Sequence, residues 1–198
     1  MGLSKIGLKI FLEMRWESMW PCPGRYTTGK RIMKISPSYI IDTNVLVVAN
    51  GKYAKADYKN VFDCQQFLDD ARRKMISIDS LGLILKEYFS HANRSGEPGI
   101  GDAFARWLWE NQYVISRCEM VDIIPDDKGE KGFYEFPDDE DLKTFDMDDR
   151  KFVAVAIKSR FEPIICNATD SDWFEHEEHL KRHGVKVLFL CPGLIKKN

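Results

Sequence analysis

A chain of 198 residues with a hydrophobic content of 44% can fold as one domain with a sizeable core plus an appendage, which argues against two full domains. The formal net charge of -2 excludes an overall cationic surface, so any nucleic acid would have to meet a local basic patch and metal ions. The 5 cysteines are dispersed without a Cys-x-x-Cys pair, which argues against a disulfide framework or a zinc ribbon and is typical of a reducing cytosol.

Residues 1–33 differ in character from the rest, and we predict an amino-terminal extension before a domain at residues 34–198. The extension is a peripheral tail or the product of a start codon placed too early, with a partner-binding amphipathic helix as the alternative. Lys9, Glu13 and Arg15 interrupt it too often for a signal peptide or a membrane span. We therefore expect a soluble, cytoplasmic protein with no membrane partner.

The stretch at residues 39–51 has the pattern of a buried strand, an acid and a second element. A short apolar run ends at Asp42, and Thr43 and Asn44 then precede another apolar run. In an open parallel sheet the carboxyl ends of the strands face the ligand crevice. The pattern therefore predicts that Asp42 lies where chemistry can take place.

The next elements are a helix at residues 58–73, a strand at 75–79 and a helix at 81–93, for which Ser80 is the predicted cap. Glu87 lies near the apolar face of the third of these elements. An acid in that position is either a salt-bridged edge residue or a ligand, and the local pattern leaves both open.

A glycine-rich loop precedes Asp102, which we predict to cap the next helix. An extended segment at residues 119–124 follows. Residues 125–142 are the most acidic and least periodic part of the chain, and they predict an insertion loop at the surface, with a lid over the site as the alternative.

Residues 145–157 have helical periodicity and carry Asp149 in the predicted first turn, next to Asp148. A short apolar strand then ends near two further acids, Asp170 and Asp172, before a polar helix and a last strand at residues 185–190. Strands separated by helices throughout indicate an α/β fold with a parallel sheet and right-handed crossovers.

Acidic residues recur at the ends of these strands and at the starts of these helices, so neighbouring strands would bring them together. Carboxylate clusters without histidine or cysteine favour hard cations such as Mg²⁺ or Mn²⁺, which also neutralise their mutual repulsion. The candidate metal ligands are Asp42, Glu87, Asp149, Asp170 and Asp172.

Four motifs resemble those of PIN-domain nucleases in the same order. They are D-T-N-V-L at 42–46, L-K-E-Y at 85–88, D-D-R-K-F-V-A-V-A at 148–156 and T-D-S-D-W at 169–173. The resemblance covers about residues 35–190. It implies a PIN-like three-layer α/β/α fold with a central, mainly parallel sheet flanked by helices.

The resemblance also implies a divalent-metal-dependent endoribonuclease, as in the toxins of type II toxin–antitoxin pairs and in RNA-processing factors. The family's catalytic acids correspond to Asp42, Glu87, Asp149 and Asp170. Asp172 would be an accessory metal ligand, and Asn44 would orient Asp42. Two departures bear on the substrate: the segment between Glu87 and Asp149 is longer than in compact toxins, and Asn167 stands where those toxins tend to have other residues.

The implied reaction is hydrolysis of RNA, with Asp42, Asp149 and Asp170 holding one or two ions directly and Glu87 binding through metal or water. The implied partners are single-stranded RNA, an antitoxin protein and a second copy of the chain. Two alternatives remain open: a metal-dependent phosphohydrolase of a small phosphoester, and a non-catalytic PIN-like module that binds protein or RNA.

An acidic crevice needs cations and stacking surfaces around it to hold RNA. The candidates in the chain are Arg94, Arg150, Lys151, Lys158, Arg160 and Lys86, with Trp173 and Trp107 as stacking surfaces.

His176, His179 and His183 share one helical face and invite comparison with a zinc protease motif. That motif needs His-Glu-x-x-His, whereas Leu180 follows His179 in the matching pair. We predict a charged surface helix instead.

Overall fold

The computed structural model describes residues 37–92, 97–127 and 129–195. The extension predicted at residues 1–33 and the RNA-contact candidate Arg94 lie outside these ranges. In the parts that are described, no helix is both long and apolar enough to cross a membrane.

A five-stranded sheet forms the centre of the domain, and all of its strands run parallel in the order β3-β2-β1-β4-β5. This confirms the parallel α/β fold. The strands are β1 (Ser38–Ile41), β2 (Met75–Asp79), β3 (Cys118–Val121), β4 (Ile164–Asn167) and β5 (Lys186–Phe189). The central strands are short apolar runs because helices cover both faces of the sheet.

The described residues form seven α-helices between these strands. They are α1 (Thr43–Ala49), α2 (Tyr58–Ala71), α3 (Leu83–His91), α4 (Ile100–Asn111), α5 (Arg150–Lys158), α6 (Ser171–Glu175) and α7 (Glu177–Arg182). Right-handed crossovers put the first four helices on one face of the sheet and the last three on the other. α1 packs against its three companions, and α5 contacts β1, β2 and β4. The three-layer α/β/α arrangement is therefore confirmed.

The predicted cap of the third helix is wrong. The helix begins at Leu83 rather than at residue 81, and Ser80 does not cap it. Asp79 does this instead, because its carboxylate accepts hydrogen bonds from the Leu83 and Ile84 amides at 2.7 and 2.8 Å. Gly82 supplies the turn between them at a φ of 75°, a conformation that favours glycine.

Two further predictions about helices need correction. α4 begins at Ile100, so Asp102 lies in its first turn and accepts a hydrogen bond from the Gly99 amide at 3.0 Å. The polar helix predicted near the carboxyl end is two short helices, α6 and α7, which meet at His176.

The acidic segment at residues 125–142 is anchored to the domain at several points. Phe133 and Phe136 are buried, and the Arg150 guanidinium lies 4.5 Å from the centre of the Phe136 ring. The same guanidinium donates to the backbone carbonyls of Glu130 and Lys143 at 2.6 and 2.8 Å. The segment is therefore a surface insertion that is held to the domain by a packed apolar base.

The chain leaves the sheet in opposite directions from β1 and β4, which are neighbours in the sheet. β1 leads towards β2 on one side, and β4 leads towards β5 on the other. The Asp42 amide donates to the Cys166 carbonyl at 2.9 Å, which holds the ends of the two strands together. Ligand crevices in open α/β sheets form at such a reversal of strand order.

Candidate metal centre

Three of the predicted acids meet at this reversal. Ligand oxygens of Asp42, Asp149 and Asp170 all lie within 4.8 Å of one another. Among the residues that the structure describes, this acid triad is the one group of three or more acidic, histidine or cysteine side chains arranged closely enough to share a metal ion. The acids come from the ends of β1 and β4 and from the start of α5.

Asp42 is the most firmly held member of the triad. It caps α1, and its Oδ1 accepts a hydrogen bond from the Asn44 amide at 3.0 Å. Its Oδ2 accepts one from the Trp173 indole at 2.7 Å. Only 4% of Asp42 is exposed. Two fixed donors therefore determine the orientation of this carboxylate before any ion binds.

Trp173 is wrong as a predicted stacking surface for RNA. Its side chain is fully buried, and its ring packs edge-on against Phe145 at 4.9 Å between ring centres. An indole in that environment has no face for a base. Its N–H instead donates to Asp42, so Trp173 orients a candidate metal ligand.

Asp149 and Asp170 are half-buried at the mouth of the site. Asp149 precedes α5 without capping it through its side chain. Asp170 caps α6, since its Oδ1 accepts a hydrogen bond from the Asp172 amide at 2.9 Å. Because Asp149 makes no cap, its carboxylate is not needed to hold the helix start.

A pair of asparagines shapes the loop that carries Asp170. Asn167 is fully buried, and its Oδ1 accepts hydrogen bonds from the Asp170 amide at 3.1 Å and from the Asn44 side chain at 2.8 Å. Asn44 Oδ1 in turn accepts the Ala168 amide at 2.8 Å. The predicted role of Asn44 is therefore divided: its backbone orients Asp42, and its side chain holds the loop of Asp170.

Burial and mutual repulsion make the carboxyl groups of Asp42 and Asp149 hard to ionise. Burial raises the pKa of Asp42 to about 7, and nearby Asp170 and Glu87 add to the rise, against the hydrogen bonds from Asn44 and Trp173. Burial also raises the pKa of Asp149 to about 9, with Asp42 and Asp170 acting in the same direction and Lys151 against it. A divalent cation would offset this accumulated negative charge.

Glu87 is close to the triad but is not one of the three. Its Oε1 accepts a hydrogen bond from the Thr43 hydroxyl at 2.5 Å, and its Oε2 lies 2.5 Å from the Lys151 ammonium. The sequence left open whether Glu87 is a salt-bridged edge residue or a ligand, and in the structure it forms a salt bridge with Lys151. Thr43 and Lys151 were not predicted as its partners.

Asp172, the predicted accessory ligand, also interacts with groups of the protein itself. Its Oδ2 accepts the Asp146 amide at 2.7 Å, and its Oδ1 lies 3.1 Å from His176 Nδ1. Burial raises its pKa, with the Asp146 hydrogen bond acting against the rise. These contacts tie the segment before α5 to α6.

The predicted RNA-contact residues are not gathered around the triad. Arg150 is buried and its guanidinium serves backbone carbonyls, so its predicted contact with RNA is wrong. Lys158 ends the nine-residue α5 that Asp149 precedes, about 13 Å along the helix axis. Arg160 lies beyond it and pairs with Glu119 at 3.1 Å. Lys151 is the candidate that remains beside the acids.

Two other candidates have different surroundings. Lys86 is exposed on α3, next in sequence to Glu87, and stays a candidate for contact with RNA. Trp107 is half-buried on α4, and the Arg72 guanidinium lies 6.0 Å from the centre of its ring.

The three histidines of the carboxyl-terminal helices have separate partners. His176 contacts Asp172 and the Thr144 hydroxyl, whereas His179 pairs with Asp141 at 3.2 Å and His183 with Asp139 at 2.8 Å. Within the described ranges they do not form a metal-binding group of three. The prediction of a charged surface helix fits His183, which is exposed, but not His176, which is buried where α6 and α7 meet.

The donor set of the triad fits Mg²⁺ or Mn²⁺. All three donors are carboxylate oxygens, which hard divalent cations prefer, and two of the three side chains reach the solvent. The chain matches no family model, and comparisons with curated proteins and with solved structures give no match either. The geometry of the site is therefore the basis for assigning a function.

Proposed function

We propose that the protein is a divalent-metal-dependent endoribonuclease that hydrolyses phosphodiester bonds in single-stranded RNA. The observation that supports this is the acid triad at the reversal of strand order, where Asp42, Asp149 and Asp170 approach within 4.8 Å. The ordered resemblance of four sequence motifs to PIN-domain nucleases points to the same chemistry.

Bound Mg²⁺ or Mn²⁺ would lower the pKa of a coordinated water and stabilise negative charge on the phosphoryl group. The chain's own contribution is to hold three oxygens in place for the ion. Trp173 and the Asn44 amide orient Asp42, and Asn167 shapes the loop of Asp170. Asp149 and Asp170 are half-buried, so a phosphodiester within a longer chain can approach them from the solvent.

The most informative variant is Asp149→Asn. Asp42 is a poorer choice, because an amide there would turn an N–H towards the Trp173 indole N–H. Asp148→Asn is a matched control, since Asp148 is the adjacent residue, carries the same charge and is exposed. We expect Asp149→Asn to lose cleavage by about 10³-fold, because a metal centre contributes several kcal/mol to the transition state. Asp148→Asn should remain active.

Cleavage should be measured on a single-stranded ribo-oligonucleotide, its deoxy counterpart and p-nitrophenyl phosphate, with Mn²⁺ titrated against each. Cleavage of p-nitrophenyl phosphate alone would favour the phosphohydrolase. Calorimetry that detects no bound Mn²⁺ would contradict the proposal and favour a non-catalytic binding module.

A cytoplasmic location, an antitoxin and a homodimer belong to the same proposal. The four described cysteines are free, which suits a reducing compartment. A small reading frame beside the gene and a dimeric mass in solution are the observations that test the partners. RNA ends sequenced after induced expression, compared between the wild type and Asp149→Asn, would give the cleavage sites.

A further inference from the structure

An ion pair between Glu87 and Lys151 lies beside the acid triad. The carboxylate and the ammonium are 2.5 Å apart, and their side chains are 27% and 8% exposed. A lysine so deeply buried is uncommon unless an acid or other acceptor pairs with its charge. The Glu87 carboxylate therefore explains how the charge of Lys151 is tolerated at a buried position.

Both groups are held in position by further contacts. The second oxygen of Glu87 accepts the Thr43 hydroxyl at 2.5 Å. The Lys151 ammonium donates to the Asp148 carbonyl and lies 4.4 Å from the centre of the Phe152 ring. Because Thr43 follows Asp42 and Asp148 precedes Asp149, these contacts connect the pair to two members of the triad.

The ammonium acts on the charge of the triad itself. Lys151 lies two residues after Asp149, and its positive charge interacts favourably with the Asp149 carboxylate. The three carboxylates of the triad and that of Glu87 thus have one cation of the chain near them. Both oxygens of Glu87 are in use by protein groups.

We propose that the Lys151 ammonium is the second positive charge of this centre, so that the triad takes a single divalent ion and Glu87 positions Lys151 rather than binding a second ion. The inference rests on the proposed metal centre. In two-ion sites the ions lie about 3.5–4 Å apart, so a second ion would draw on the carboxylate beside the triad, which is that of Glu87. Recruiting Glu87 for it would leave the ammonium buried without its acid, which is costly.

The arrangement also assigns a role to Lys151 in substrate binding. An ammonium has three N–H donors, and the hydrogen-bonding partners found among the described residues use two of them. The third is available for a phosphate oxygen, for which lysine is a common partner as a point charge. Lys151 would then contact the substrate, whereas Glu87 acts through Lys151.

The test is calorimetric titration of the full chain with Mn²⁺, comparing the wild type with Glu87→Gln and Lys151→Met. We expect one ion per chain in the wild type and in Glu87→Gln, and the variant should bind it about tenfold more weakly because a neighbouring negative charge is removed. Lys151→Met should bind Mn²⁺ about tenfold more tightly, because a neighbouring positive charge is removed. The same variant should cleave RNA more slowly at saturating Mn²⁺.

Tighter metal binding together with slower cleavage is a result that loss of folding does not produce. Lys158→Met is the matched control, since Lys158 lies at the far end of the same helix with 54% of its side chain exposed, and it should not alter the affinity. The double variant Glu87→Gln/Lys151→Met removes one charge of each sign and should return the affinity to near the wild-type value.

Two ions in the wild type, with one of them lost in Glu87→Gln, would overturn the inference and leave the proposed nuclease intact. Unchanged or weaker Mn²⁺ binding in Lys151→Met would also overturn the inference without contradicting the proposed nuclease. A wild-type chain that binds no Mn²⁺ would overturn the proposed function, and the inference with it.

Discussion

Glu119 and the acid triad have opposite surroundings in this domain. Glu119 on β3 is 5% exposed, and it accepts hydrogen bonds from the hydroxyls of Ser77 and Ser159 and from the amide and guanidinium of Arg160. Burial acts to raise its pKa, but these donors outweigh burial and the pKa is lowered. The carboxyl group is thus fully compensated by the protein.

At the acid triad the carboxylates lie close to one another, with ligand oxygens of all three within 4.8 Å. The pKa of Asp42 is raised to about 7 and that of Asp149 to about 9, with burial as the largest cause in both. Hydrogen bonds that stabilise the ionised form are few, although Asp42 has two. A buried acid surrounded by donors stabilises the fold, whereas buried acids that face one another are stabilised by a cation from outside the chain.

The largest expected effect on stability is that of Glu119→Ala. The change removes the acceptor for the buried Ser77 hydroxyl, the half-buried Ser159 hydroxyl and a backbone amide. We expect the free energy of unfolding to fall by about 3 kcal/mol. Urea unfolding measures this. Glu119→Gln is the matched control, because its amide oxygen still accepts from Arg160, and it should lose about 1 kcal/mol.

The affinity for Mn²⁺ should be the same in both Glu119 variants as in the wild type. A marked loss of metal binding in Glu119→Gln would contradict the separation between a structural acid and the acids of the triad.

Much of this contrast follows from where acids stand in the sequence, but part of it does not. Asp42 and Asp170 were predictable because each follows an apolar strand, and parallel strands end at one edge of a sheet. The Trp173–Asp42 hydrogen bond joins residues 131 positions apart, and the Asn44–Asn167 bond spans 123. Side-chain contacts at such separations depend on packing, which a local pattern of residue types does not contain.

The same limit explains why Arg150 and Trp173 were wrongly predicted to contact RNA at the surface. Arg150 and Trp173 have residue types suited to RNA, but periodicity on a helix of nine or five residues did not distinguish a buried position from an exposed one. The Glu119 network was missed as well. Glu119 lies on a strand, and the side chains that donate to it are distant in the sequence. Ser159 and Arg160 approach it only because α5 crosses the sheet before them.

A smaller effect is expected from pH on the metal-free protein. Because the pKa of Asp149 is raised on folding, the folded state binds the proton more tightly than the unfolded chain. Stability should therefore fall as pH rises from about 4 towards 9 in the wild type, relative to the uncharged Asp149→Asn. At pH 8 in EDTA we expect the variant to be more stable by about 2 kcal/mol, measured by urea unfolding.

Adding Mn²⁺ should reverse this order, since only the wild type retains all three carboxylates. Asp148→Asn is again the control and should follow the wild type, because Asp148 is exposed. An Asp149→Asn variant that is less stable than the wild type at pH 8 in EDTA would show that the triad is compensated within the protein, as Glu119 is.

The smallest predicted effect concerns the hydrogen bond that makes Asp42 the intermediate case between Glu119 and the rest of the triad. Trp173→Phe removes the indole N–H that donates to Oδ2, so the pKa of Asp42 should rise further. A proton then competes better with the ion, and Mn²⁺ binding should weaken by about threefold at pH 6. At pH 9 the carboxyl group is ionised in both proteins and the difference should disappear. Calorimetric titration at a series of pH values measures this.

Phe145→Leu, which disturbs the packing against Trp173 but keeps the donor, is the control for the lost ring contacts. If its Mn²⁺ affinity has the same pH dependence as that of Trp173→Phe, packing rather than the hydrogen bond is responsible, and Asp42 belongs with the uncompensated acids.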